Sequence, residues 1–89
     1  MNKILLITTK GCDGCTVARN NIKQAIDASK KKIIFEEIDV SKVNKVFLRT
    51  LKVRDFPTTI IYKGDEVRVT WGGSVPVVVV QRWIDVHFK

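Results

Sequence analysis

Cysteine, proline, methionine and histidine are all scarce in this 89-residue chain, which holds two Cys, two Pro, one Met and one His. Long apolar runs are missing too. Ile4–Ile7 and Val75–Val80 fall far short of the roughly 20 residues that a membrane-spanning helix needs. Lys3 and the short apolar run after it, ending in Thr-Thr-Lys, are too brief for a secretory leader, so a cytoplasmic location is expected. The two cysteines and His87 would supply at most three metal ligands, one fewer than a closed structural zinc site takes. No repeat, low-complexity tract or linker interrupts the chain. With 45% hydrophobic and 28% charged residues, residues 1–89 are expected to form one compact domain around one core.

Acid is also in short supply: 16 Lys and Arg face 9 Asp and Glu, a net charge of +7. The excess gathers in Ser29-Lys-Lys-Lys32 and at Lys42, Lys45 and Lys52. No aromatic residues interleave with the lysine run and no nucleic-acid motif accompanies it, so no nucleic-acid partner is expected. A solvated turn and helix face is the expected reading; the charge also favours acidic protein partners through steering, and on its own it names no function.

Hydrophobic periodicity orders the elements. Residues 3–8, Lys-Ile-Leu-Leu-Ile-Thr, are apolar on both faces, as a covered central strand requires. From Asp13 to Ser29 the pattern turns helical, with Cys15, Ala18, Ile22 and Ala25 on one stripe. A second strand is expected over 32–39. A second helix is expected over 42–53, capped by Ser41, with Val43, Phe47 and Leu51 on its inner face beside Val46. Residues 55–71 read as two strands around a tight turn at Lys63-Gly64-Asp65, with Val67, Val69 and Trp71 on one buried face. The four valines 77–80 favour a strand by propensity. The spacing of Val79, Val80, Trp83, Ile84 and His87 favours a helix, with Ser74 as its cap and Pro76 in its first turn. The expected order is β-α-β-α-β-β-α, an α/β fold with a four-stranded mixed sheet and helices on both faces.

Both cysteines stand in one window, Lys10-Gly-Cys-Asp-Gly-Cys-Thr-Val17. At this C-x-x-C spacing on a helix start, the two Cα atoms can approach to about 5–6 Å, within disulfide range. A pair in a reducing compartment is more often catalytic or metal-binding than a staple. Cys15 lies on the buried stripe, whereas Cys12 sits at the open helix end. There the unpaired N–H groups and the helix dipole lower a thiol pKa from its usual ~8.5. Lys10 adds to that effect and Asp13 opposes it. One accessible and one shielded thiol suit disulfide exchange, with Cys12 attacking and Cys15 resolving.

Forty residues on, Val53-Arg-Asp-Phe-Pro-Thr-Thr-Ile-Ile-Tyr-Lys-Gly-Asp-Glu-Val67 resembles the proline loop and hairpin of thioredoxins. Together with Gly11-Cys-Asp-Gly-Cys15 after a first strand, the chain resembles the thioredoxin superfamily in a compact, glutaredoxin-sized form. The resemblance implies a cis Pro57 facing the cysteines. It also implies that the backbone of Phe56 pairs with an extended substrate segment, and that Gly72 and Gly73 lie close to that substrate. Lys10, Gly11, Asp13, Gly14 and Thr58 then have supporting roles. The implied activity is reduction of protein disulfides by dithiol exchange. A reductase or glutathione would donate the electrons, and no cofactor or metal is needed beyond the Cys12–Cys15 disulfide. A monomer is expected.

The sequence departs from the family in several places. Gly11 stands where thioredoxins usually carry Trp, Asp13-Gly14 replaces Gly-Pro or Pro-Tyr, and Leu6 occupies the place of a buried acid. Gly72-Gly-Ser-Val-Pro-Val77 lacks the acid with which glutaredoxins hold glutathione. Two other classes compete with this reading. A metal chaperone carrying C-x-x-C before a helix would need β-α-β-β-α-β order and tight Cu(I) binding. A non-catalytic thioredoxin-like interaction module would leave the thiols idle.

Overall fold

Strand β1 (Asn2–Thr8) runs through the middle of the sheet, and Ile4, Leu5, Leu6 and Ile7 are all buried in this computed structural model, which describes all 89 residues. Helix α1 (Asp13–Ser29) follows, then β2 (Ile34–Asp39), a single 3₁₀ turn (Val40–Lys42), α2 (Lys45–Thr50), β3 (Thr58–Lys63), β4 (Glu66–Gly72) and α3 (Val77–His87). The sheet order is β2-β1-β3-β4. β1 pairs parallel with β2 and antiparallel with β3, which pairs antiparallel with β4. The fold is therefore the expected α/β arrangement, β-α-β-α-β-β-α around a four-stranded mixed sheet.

Because β1 is central, its alternate side chains enter two cores. Ile4 and Leu6 pack with Ala18, Ile22, Ala25, Ile61, Val80 and Ile84 beneath α1 and α3. Leu5 and Ile7 pack with Ile60 on the other face, covered by Val43, Phe47, Leu48, Leu51 and Phe56. Each fully buried aliphatic side chain contributes on the order of 1.5–3 kcal/mol through removal from water. The register also gathers the functional ends of the strands. Thr8 pairs with Asp39, Ile7 with Thr58, and Thr58 with Gly72, so all four strands meet the β1–α1 turn at one end of the sheet.

Three expectations about local structure change. The second helix is shorter than 42–53, because Asp39 and Asn44 cap two separate pieces. The Asp39 carboxylate accepts the Ser41 N–H at 2.9 Å, and Asn44 Oδ1 accepts the Val46 N–H at 2.7 Å. Val43 between them is extended, so Ser41 caps nothing and Val46 is exposed. Second, Val67, Val69 and Trp71 do not share one face. A bulge at Arg68 sets Ile61 against Val69 but Tyr62 against Val67, which sends Val67 to the α2 side and Val69 to the α1/α3 side. Trp71 is exposed and leans edge-on against Trp83, with ring centroids 5.6 Å apart. Third, Pro76 rather than Ser74 is the N-cap of α3, and no side chain caps that helix. The valine run 77–80 is helical, as spacing indicated against propensity. Val80 reaches the core, where packing outweighs the few tenths of a kcal/mol lost to a β-branched residue.

Candidate functional site

At the end of β1, Gly11 takes φ +68°, a left-handed conformation that glycine adopts without a Cβ clash, and turns the chain into α1. Cys12 is the N-cap of α1, with extended backbone at φ −99° and ψ 100°. Its Sγ accepts the Cys15 N–H at 3.1 Å, so the sulfur does the work that a Ser or Asp oxygen does at ordinary helix starts. Cys12 and Cys15 are joined as a disulfide with Cα atoms 5.3 Å apart. Their surroundings differ: Cys15 is 3% exposed on the α1 stripe, whereas Cys12 is only half-buried.

The 55–58 loop lies against this turn. Pro57 is buried and the Phe56–Pro57 peptide is cis. A Cβ placed on Gly14 would stand 3.4 Å from Pro57 Cδ and 2.9 Å from Ser74 Oγ, so the first turn of α1 touches both loops through a missing side chain. The loop after β4 closes the third side. Gly73, at φ +98°, donates its N–H to the Pro57 carbonyl at 2.7 Å. Thr58 Oγ1 donates to the Asp55 carbonyl at 2.5 Å, and the Asp55 side chain packs beside Gly72. Phe56 faces the Leu5–Ile7–Ile60 cluster with its ring.

Cys12, Cys15, Gly14, Pro57, Thr58, Gly72 and Gly73 thus come together at one end of the sheet. Lys10 and Asp13 are exposed at its rim and neither forms an ion pair. Nearby, the Ser41 hydroxyl and then the Ser41 N–H hold the Asp39 carboxyl below the usual carboxylate range, with smaller help from Lys10 and Lys42. His87 ends α3, which starts just after Ser74. About ten residues at 1.5 Å rise place it roughly 15 Å along that axis from the helix start.

Ser74, Trp71 and Asn21 also shape the site, and sequence reasoning gave them no such part. Ser74 Oγ points at the Gly14 carbonyl at 3.5 Å, while its own carbonyl accepts the Trp71 indole N–H at 3.1 Å. Asn21 Nδ2 donates to the Val75 carbonyl at 2.9 Å and ties α1 to the same loop. The one available signal was the compact Gly72-Gly-Ser-Val-Pro76 segment, whose glycines mark a loop but not what it touches.

No protein-family profile matches the chain, and no curated protein does. Solved structures do. A thioredoxin-2 from the malaria parasite superposes with a TM-score of 0.80 at 22% identity, covering 98% of this chain and 84% of that one. A second malarial protein gives 0.79 at 21% identity, over 100% of this chain and 99% of the other. Chloroplastic thioredoxin z gives 0.77 at 16% identity, over 99% and 79%. The fold is the thioredoxin fold. On it, this chain carries a C-x-x-C disulfide at the β1–α1 junction.

Proposed function

We propose that this protein is a thiol–disulfide oxidoreductase that reduces protein disulfides through Cys12 and Cys15. The observation that carries the reading is the unequal exposure of two sulfurs bonded to each other at a helix start. In the reduced protein the Cys12 thiolate is stabilised by the α1 N-terminus and attacks a substrate disulfide. A mixed disulfide forms between Cys12 and one substrate sulfur, and the other leaves as a thiolate that takes a proton. The Cys15 thiolate then attacks Cys12 Sγ, the second substrate thiol departs, and the Cys12–Cys15 bond closes. Two electrons and two protons have passed from the protein dithiol to the substrate. Phe56, held beside the buried Pro57, presents its backbone to an extended substrate segment, Gly72 and Gly73 leave room for it, and Thr58 holds the loop through Asp55. A reductase or glutathione restores the dithiol, no further cofactor takes part, and the protein works as a cytoplasmic monomer.

Insulin reduction driven by dithiothreitol tests the reading. Cys12→Ser is expected to abolish turnover, whereas Cys15→Ser still attacks and accumulates a mixed disulfide visible by mass spectrometry. Undiminished turnover by Cys12→Ser would overturn the assignment of the nucleophile. Comparing turnover with a thioredoxin reductase and with glutathione plus its reductase identifies the electron donor.

A further inference from the structure

The excess positive charge is not spread evenly around the molecule. From Val40 to Arg54 the chain carries Lys42, Lys45, Arg49, Lys52 and Arg54 with no acid among them, and all five are exposed. None forms an ion pair; the three pairs present, Lys3–Glu36, Arg19–Glu37 and Arg68–Glu66, lie elsewhere. The topology places this segment. It leaves the sheet at the end of β2, covers the Leu5–Ile7–Ile60 face, and returns at Thr58 beside the disulfide end of β1. Lys10, exposed and two residues before Cys12, leaves β1 beside this segment, because Thr8 pairs with Asp39 at the end of β2. At the other end, Lys52 and Arg54 line a cleft of about 220 Å³ with Asp55, Thr58 and Gly72. A positive flank therefore runs from the Cys12 turn to the Pro57 loop. Asp13, Asp39 and Asp55 are the acids near it, and Asp39 is already occupied by Ser41.

We propose that this α2 flank is a docking surface for an acidic stretch of a protein substrate, next to the disulfide that Cys12 attacks. The inference rests on the oxidoreductase reading and names its substrate class. A protein fits better than a nucleic acid for two reasons. The flank offers no exposed aromatic on which bases could stack: Phe47, the aromatic within 40–54, turns into the core. It also borders the groups that exchange disulfides. Unpaired exposed cations act over about one Debye length, roughly 10 Å at 0.1 M salt and longer as salt falls. Such a field raises association rates by tenfold or more at low salt and fades as salt rises.

Two synthetic peptides with the same internal disulfide, one flanked by Asp and Glu and one by Ser and Gln, test the proposal. The full-length protein is expected to reduce the acidic peptide with a kcat/KM at least tenfold higher at about 20 mM salt, and near parity at about 0.5 M. The variant Lys42→Glu/Lys45→Glu/Arg49→Glu is expected to lose that preference while keeping its rate on the neutral peptide. Equal rates on both peptides at low salt would overturn the docking surface and leave the redox reading intact. Failure to reduce either peptide would overturn the redox reading. In that event, anisotropy with a labelled cysteine-free acidic peptide still decides the surface. Salt-sensitive binding that the triple variant loses supports it. Absence of binding, or tighter binding of a single-stranded oligonucleotide of matched charge, overturns it.

Discussion

Gly14 gives the sharpest test of how the site is assembled. It is the second residue of α1, where its missing side chain lets Pro57 Cδ and Ser74 Oγ approach. In Gly14→Ala two effects oppose each other. Alanine gains about 0.5–1 kcal/mol over glycine in a helix, less at a first turn. Its Cβ would stand 2.9 Å from Ser74 Oγ, too close to keep, so that exposed hydroxyl must rotate and give up its 3.5 Å contact with the Gly14 carbonyl. A bond at that distance is marginal and the hydroxyl can hydrate, so the loss is a few tenths of a kcal/mol. Unfolding free energies from urea titration are therefore expected to shift by no more than about 0.5 kcal/mol, and Ser74→Ala in the same chain should turn any loss into a gain. Gly14→Val differs, because a branched side chain must push on the Pro57 ring, which cannot rotate away. Overpacking there costs about 1–3 kcal/mol. Displacing the Pro57 loop relative to Cys12 is expected to cut insulin reduction at least about tenfold, since small misplacements of reacting groups are expensive. Wild-type stability and turnover in Gly14→Val would refute this packing of α1 on the Pro57 loop.

Two further predictions concern stability. Thr59 is fully buried and its Oγ1 has no hydrogen-bond partner, so Thr59→Val, which keeps the shape and removes the hydroxyl, is expected to stabilise by about 1 kcal/mol and raise Tm by several degrees; a loss of that size would show that the hydroxyl is bonded. Glu37 accepts from Arg19 Nε at 2.5 Å and Nη2 at 2.7 Å, and that bonding holds its carboxyl below the usual range. The folded chain therefore binds fewer protons at Glu37 than the unfolded chain. The associated stability is present above the ordinary carboxylate pKa of about 4.3 and is lost as pH falls through the lowered folded value. Urea midpoints from neutral pH down to about pH 3 should decline less steeply in Glu37→Gln, and identical slopes would contradict the assignment.

What was legible in the sequence was whatever depends on residues near one another in the chain. Helix α1 appears with its expected span because its apolar stripe recurs every three to four residues and Lys30 closes it in a left-handed turn. The valine run in α3 was legible once spacing was weighed above propensity. The bulge at Arg68 was not, because an exposed arginine between two valines reads as plain alternation until a partner strand fixes the register. Asn44 displaced Ser41 as a helix cap for a similar reason, since each is a good cap and only the geometry after Asp39 selects between them. The cysteine pair and the Pro57 loop were readable as motifs, but their meeting through Gly14, Ser74 and Gly73 involves residues 16 to 60 positions apart. A glycine announces freedom, not the neighbour that requires it.

The same topology explains why the chemistry and the charge lie side by side. With β1 parallel to β2 and antiparallel to β3, the β2–β3 connection must begin and end at the end of the sheet where the disulfide sits. Its apolar residues, Val43, Phe47, Leu48 and Leu51, are consumed in covering one face of the sheet. The remaining positions of a helix only six residues long must face water, close to the Cys12 turn. Any charge placed on them acts on whatever approaches the disulfide. Placing Lys45 and Arg49 among them, with no acid, sets the sign of that field without touching the core or the cysteines. Surface residues of α2 can therefore change that field without altering the burial of Cys15, which lies on the inner stripe of α1.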